Sequence, residues 1–122
     1  MNNHPPLALV KKHVTVVGLG TQGGGIGTVC WLLEQGAIVL VTDQATQEVL
    51  ADAITKIEAF KNQLQQSTGK RTRVVFHLGQ EHVKEDIVGA DVVVMNPDVP
   101  RTSVVFTWAR EHRIPIRIGD TT

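Results

Sequence analysis

The sequence predicts an α/β domain of three layers: a five-stranded parallel sheet, order 3-2-1-4-5, with helices on both faces. Three observations carry that prediction. Short β-branched runs alternate with amphipathic segments from residue 13 onward, the pattern of repeated strand–helix–strand units with right-handed crossovers. The strand runs are apolar without interruption, as in Val92-Val93-Val94, which suits strands buried between two helical layers. The length, 122 residues, suits one domain large enough to bury a real core.

Each element has its own signal. Residues 1–12 read as a polar, proline-containing lead-in, and 13–122 as a single domain. His13–Gly18 is a strand, because the run Val14-Thr15-Val16-Val17 ends in glycine. Gly24–Gln35 carries Ile26, Val29, Cys30, Leu32 and Leu33 at helical spacing, with Gly36 where a C-cap glycine belongs. Ala37–Thr42 is the second strand and stops at Asp43. Thr46–Gln66 is the clearest helix: Val49, Leu50, Ala53, Ile54, Ile57, Phe60 and Leu64 form one stripe, with Thr46 as N-cap. Arg73–His77 is the third strand, Glu81–Val88 a short helix stopped by Gly89, and Asp91–Met95 the fourth strand. The turn-rich Asn96-Pro97-Asp98-Val99-Pro100 leads into a helix at Thr102–His112 and a fifth strand at Ile114–Ile118.

Composition narrows the function. Formal net charge is zero, so bulk attraction to nucleic acid or to an anionic membrane is not expected. The longest apolar runs are strand-sized and too short to span a bilayer. The first residues, Met1-Asn2-Asn3-His4-Pro5-Pro6, lack the charged start and apolar run of a signal peptide. A lone cysteine, Cys30, excludes an internal disulfide and fits a reducing compartment, so the cytoplasm is the expected location. The five histidines are scattered, and none pairs with a cysteine or another histidine at metal-ligand spacing. No Walker-type GKS or GKT loop is present, and no serine, cysteine or acid pair forms a catalytic constellation. Cys30 lies on an apolar helix stripe and reads as packing; Trp31 and Trp108 read as core or interface residues.

The segment Gly18-Leu19-Gly20-Thr21-Gln22-Gly23 fits G-x-G-x-x-G, follows a strand and opens a helix. In this Rossmann-like setting the first glycine permits the tight turn and the second lets the backbone approach a phosphate. The third lets the helix pack on the strand, and the helix then directs N–H groups and its positive end at the anion. The alternative is a glycine-rich turn with no ligand. Gly24, Gly25 and Gly27 loosen the start of the helix for no reason visible in the sequence. Asp43, at the end of the second strand, is placed to accept a hydrogen bond from a ribose or a base, or to cap the next turn. The Asn96–Pro100 loop lies on the same rim, beside the switch point of the sheet, where ligands sit in such folds.

These segments together resemble the N-terminal domain of the Mur ligases, above all the members that add D-glutamate. The resemblance rests on Val16–Gly23, Val41-Thr42-Asp43, Gly89–Pro100 and Arg113-Ile114-Pro115-Ile116, and covers about residues 13–122. It implies a cytoplasmic, ATP-dependent ligase of peptidoglycan synthesis whose first domain holds the UDP part of UDP-N-acetylmuramoyl-L-alanine. Gly20, Thr21, Gln22 and Gly23 would lie at the diphosphate, Asp43 and Gln44 at the uracil, and Asn96 and Pro97 beside the nucleotide. No catalytic residue and no metal site falls on this chain. ATP and magnesium would belong to a central domain and the amino acid to a C-terminal one, so this chain alone should not ligate anything. Departures from the family are Asp98 where glycine is common, Gln22 where threonine is frequent, Gln44 in place of threonine or serine, and a longer 46–66 helix. Apart from the resemblance, the glycine loop and Asp43 also permit an NAD(P)-binding module of a dehydrogenase or regulator, or a domain that only mediates assembly.

Overall fold

In the computed structural model, residues 9–20 and 24–119 are described. Nine elements alternate along them: β1 (His13–Val17), α1 (Gly24–Glu34), β2 (Ile38–Asp43), α2 (Ala51–Thr68), β3 (Arg73–Leu78), α3 (Lys84–Val88), β4 (Val92–Met95), α4 (Val104–Glu111) and β5 (Ile116–Ile118). All strand pairs are parallel, and the sheet order is β3-β2-β1-β4-β5, as the alternation of runs predicts. β1 is central. Val16 pairs with Val41 on one side and Val94 on the other.

Alternation along β1 divides the core in two. Val14 and Val16 face the layer of α1 and α2, where they meet Val29, Leu33 and Ile57. Val17 faces the layer of α3 and α4, with Val93, Met95, Ile87 and Phe106. Thr15 shares that second face and is buried, yet it is satisfied: its hydroxyl donates to the Asp86 carbonyl at 2.6 Å, tying α3 to the sheet.

The sequence reading and the structure differ mainly at element ends. Helix α2 begins at Ala51, not at Thr46. The Thr46 hydroxyl accepts the Val49 N–H at 3.3 Å and so caps a turn over 47–50. Leu50, at φ −98° and ψ 9°, breaks helical geometry between that turn and the helix. Val49 consequently leaves the buried stripe and is 62% exposed. Helix α3 starts at Lys84 rather than Glu81, and β5 at Ile116 rather than Ile114. Gly36 takes a positive φ, 84°, after α1, as its stop signal requires, and Gly69, at φ 71°, ends α2 in the same way. Leu9 belongs to the first core cluster, so the folded unit extends into the segment read as a lead-in. Trp31 is 48% exposed and is no core residue, whereas Trp108 packs against the second cluster.

Ile57 is fully buried where α2 meets the sheet. Ile57→Ala is therefore expected to lower unfolding free energy by about 2–5 kcal/mol, measured by urea denaturation. Val49→Ala, on the exposed turn, should change it by less than about 0.5 kcal/mol.

Candidate functional site

The loop after β1 is shaped by two glycines and one buried side chain. Gly18 and Gly20 have φ of +82° and +75°, a region in which L side chains are strained. Between them the Leu19 side chain is fully buried and anchors the turn. The Gly18 N–H donates to the Thr42 carbonyl at 2.9 Å, which carries the β1–β2 pairing one residue past the strand. The Leu19 N–H donates to Asp43 Oδ2 at 2.8 Å.

Helix α1 starts at Gly24 and comes very close to this loop. A Cβ at Gly25 would lie 1.9 Å from the Leu19 carbonyl oxygen. The close-packing role that the sequence pattern gives to Gly23 is therefore performed, among the described residues, by Gly25. Thr21, Gln22 and Gly23 lie outside those residues. Gly27, in contrast, faces open space.

Asn96 closes the loop from the β4 side. Its N–H donates to the Val17 carbonyl at 2.8 Å, and its side-chain Oδ1 accepts the Asp98 N–H at 2.8 Å, an Asx turn. A Cβ on Gly18 would stand 3.0 Å from Asn96 Cβ, and one on Gly20 would stand 2.8 Å from Asn96 Nδ2. The amide of Asn96 thus lies directly against the glycine turn.

Between the loop, the first turn of α1 and Asn96-Pro97-Asp98 opens a cleft with a cavity volume of about 220 Å³. Val16, Val94, Thr28 and Gly119 also line it. It sits at the carboxyl ends of β1, β4 and β5, at the point where strand order reverses, the usual ligand position in open parallel sheets. Among the described residues lining it there is no lysine, arginine or histidine, and the one ionisable side chain is Asp98. An anion here would be held by backbone N–H groups and the start of α1. Of the residues singled out in the sequence, Gly18, Gly20, Asn96, Pro97 and Asp98 are brought together. Asp43 and Gln44 are outside the lining of the cleft. Thr28 and Gly119 were not singled out. Their signal was position: one turn after Gly24, and just past the fifth strand on the same rim.

A second polar cluster lies at the β2–β3 ends. Thr42 Oγ1 and His82 Nδ1 are 2.8 Å apart, and His77 Nδ1 is 2.8 Å from Asp86 Oδ2. Burial pushes the His82 pKa below its ordinary 6.5, with Asp43 and Asp86 acting in the opposite direction. The Cys30 thiol is pushed up by burial and by Glu34, which opposes a nucleophilic role. Among the described residues, no three His, Cys, Asp or Glu side chains gather as a metal site, and no helix is long and apolar enough to cross a membrane.

Two glycines on one helix should respond in opposite directions. Gly25→Ala is expected to cost about 3 kcal/mol or more, since backbone must move, while Gly27→Ala should gain up to about 1 kcal/mol; chemical denaturation measures both. His82 gives a pH prediction. Its folded pKa lies below the unfolded value, so the unfolded chain binds more protons in the window beneath pH 6.5. Stability should accordingly rise with pH through that window, and His82→Gln should flatten the rise in thermal melts recorded from acid to neutral pH.

The chain was compared with known proteins. It is 35% identical over 103 residues to UDP-N-acetylmuramoylalanine–D-glutamate ligase of Treponema pallidum, covering 84% of this chain and 17% of the ligase. The ligase of the same name from Desulfosudis oleivorans is 32% identical over 111 residues, covering 91% of this chain and 21% of the ligase; that from Roseiflexus is 34% identical over 104 residues, covering 85% and 20%. The chain thus spans about a fifth of the length of these relatives. No protein-family model matches. Among solved structures, SirC, a precorrin-2 dehydrogenase, aligns with TM-score 0.53 at 16% identity, over 94% of this chain and 48% of that one. A universal stress protein in complex with cAMP aligns with TM-score 0.51 at 12% identity, over 93% and 99%. At these identities the structural likenesses establish the fold alone. The sequence matches go further, and on them the chain is a relative of the Mur ligases, similar to the N-terminal domain of UDP-N-acetylmuramoylalanine–D-glutamate ligase.

Proposed function

We propose that this domain binds the UDP portion of UDP-N-acetylmuramoyl-L-alanine for an ATP-dependent, D-glutamate-adding ligase of cytoplasmic peptidoglycan synthesis. The observation that carries the reading is the cleft at the sheet's switch point, framed by two left-handed glycines and the start of α1. The relatives' names supply the substrate. In this reading the diphosphate lies on the backbone of Gly20, Thr21, Gln22 and Gly23, with Asn96 and Pro97 along its flank. The uracil lies toward the turn that begins at Asp43 and Gln44.

A diphosphate suits this cleft for a physical reason. Backbone N–H groups next to glycine can approach phosphate oxygens without a side chain intervening. The absence of a lysine or arginine from the described lining leaves the anion's charge to dipoles, which act by geometry more than by long-range attraction. Ligation itself would be carried elsewhere. The sequence has no GKS or GKT loop and the described residues no acidic cluster, so this chain does not fit ATP and magnesium, and no reaction step is assigned to it.

A single domain with part of a substrate's contacts binds weakly, on the order of 0.1–10 mM, roughly 3–5 kcal/mol. Titration with UDP, followed by nuclear magnetic resonance, should shift the amides of Gly18–Gly20, Gly24 and Asn96 in that range. Uridine should bind more weakly than UDP. Absence of any shift at millimolar UDP would refute the reading, and clearly tighter binding of NADH than of UDP would replace it with a redox-dinucleotide module.

A further inference from the structure

Asp98 is the one ionisable side chain among the described residues that line the cleft, and its backbone is held in place there. Its N–H donates to Asn96 Oδ1 at 2.8 Å, and the next N–H, that of Val99, donates to the Asn96 carbonyl at 2.9 Å. Asn96 is itself bonded through its N–H to the Val17 carbonyl of the central strand. Val99 anchors the far side of the turn by packing against the second core cluster, and Pro97 restricts the backbone on the near side.

None of these bonds uses the carboxylate. Among the described residues it accepts no hydrogen bond and joins no ion pair. The nearest cation along the chain, Arg101, has its guanidinium over the Phe106 ring, 5.5 Å from the centroid, and Phe106 belongs to the α3–α4 core layer. Thr21, Gln22 and Gly23, between Gly20 and Gly24, add no charged side chain. The Asp98 charge is therefore uncompensated at the cleft and free to act on whatever the cleft holds. Diphosphates differ in the charge they bring. One esterified at both ends carries a single negative charge on each phosphate. One with a free terminal phosphate has a second ionisation there, with a pKa of about 6, and gains nearly one more charge above neutrality. Peptide dipoles favour either anion at hydrogen-bonding range, but no cation in the described lining offsets the carboxylate's repulsion of the added charge.

We propose that Asp98 sets the charge specificity of the cleft, favouring a diphosphate closed at both ends by ester bonds over one with a free terminal phosphate. The proposal rests on the reading of the cleft as a diphosphate site and deepens it. A free nucleoside diphosphate is disfavoured before any contact with a group beyond the second phosphate is counted.

UDP and its β-methyl ester test this, since the methyl group removes the extra charge and adds little else. Both are titrated at about pH 8, where the terminal phosphate is ionised, into the full chain and into Asp98→Asn. Affinities are read by nuclear magnetic resonance at the amides of Gly18–Gly20, Gly24 and Asn96. The substitution keeps the backbone N–H that Asn96 holds, at an exposed position. Even at the dielectric of water, a unit charge about 4 Å away changes affinity by about fivefold. The expected result is that the wild type binds the ester more tightly than UDP by roughly threefold to fivefold. In Asp98→Asn that preference should collapse to less than about twofold, because UDP gains more than the ester does. Raising salt from about 0.02 to 0.5 M should likewise shrink the preference in the wild type. Equal affinities in the wild type, a preference for UDP, or a preference for the ester that survives in Asp98→Asn would overturn the proposal and leave the diphosphate reading standing. If neither ligand moves those amides at millimolar concentration, the diphosphate reading fails and the proposal with it. Should the variant not fold, the salt series on the wild type decides, and a preference insensitive to salt would overturn the proposal.

Discussion

A side-chain carbon at residue 25 would lie 1.9 Å from the Leu19 carbonyl oxygen, so α1 reaches the end of β1 only because Gly25 has none. The architecture of the cleft depends on that approach. The helix start can face the cleft at the strand end only if the first turn of α1 sits against the loop. Leu19 can bury its side chain completely only if its backbone is held between helix and sheet. With Leu19 fixed, Gly18 and Gly20 turn the chain around it, and the Asn96 amide fills the space that their missing side chains leave.

The sheet supplies the rigid frame for this contact. β1 is paired along its length with β2 on one side and β4 on the other. The loops that follow these three strands are therefore brought side by side by register alone. Residue 18 is bonded to residue 42, residue 96 to residue 17, and residue 19 to the side chain of residue 43. Functional loops placed on buried strand ends are held in this way without needing a large interface of their own. Both helical layers contribute, since Val16 and Val17 send their side chains to opposite faces.

Much of this was legible in the sequence, and the remainder was illegible for definite reasons. The order of strands followed from uninterrupted β-branched runs such as Val14–Val17 and Val92–Val94, which leave little choice of conformation. The start of α2 was misread because a turn over 47–50, with its own threonine cap, imitates a first helical turn; only the backbone angles of Leu50 separate the two. The glycine spacing located the loop; Gly23 lies outside the described residues, and the close contact of Gly25 was not foreseen, because a pattern specifies order along the chain and not the distance to a carbonyl. With Gly23, Gly24 and Gly25 in succession, no spacing rule distinguishes which one touches. Asp43 was read as a site-edge acid or as a cap of the next turn; its bond to the Ala45 N–H is that cap, while its bond to the Leu19 N–H, 24 residues away, joins it to a backbone donor that no sequence motif marks. His77, His82 and Asp86 escaped notice as single residues, although the short β3–α3 connection brings them together.

The charge of the cleft shows what its geometry must accomplish. A nearby lysine would attract a phosphate from a distance and tolerate loose placement, because a unit charge acts over several ångströms. Peptide dipoles act only at hydrogen-bonding range and only when aligned. Asp98 raises the demand further, since two like unit charges 4 Å apart repel by about 4 kcal/mol at the effective dielectric of a protein surface. Its N–H is fixed by the Asn96 side chain while the residue remains exposed, which leaves its carboxylate in contact with solvent. In the proposed function, a cradle that favours an anion by alignment, beside a carboxylate and without a cation in its described lining, requires a fixed loop. The hydrogen bonds on the Leu19 N–H and on Asn96 give the loop that fixity.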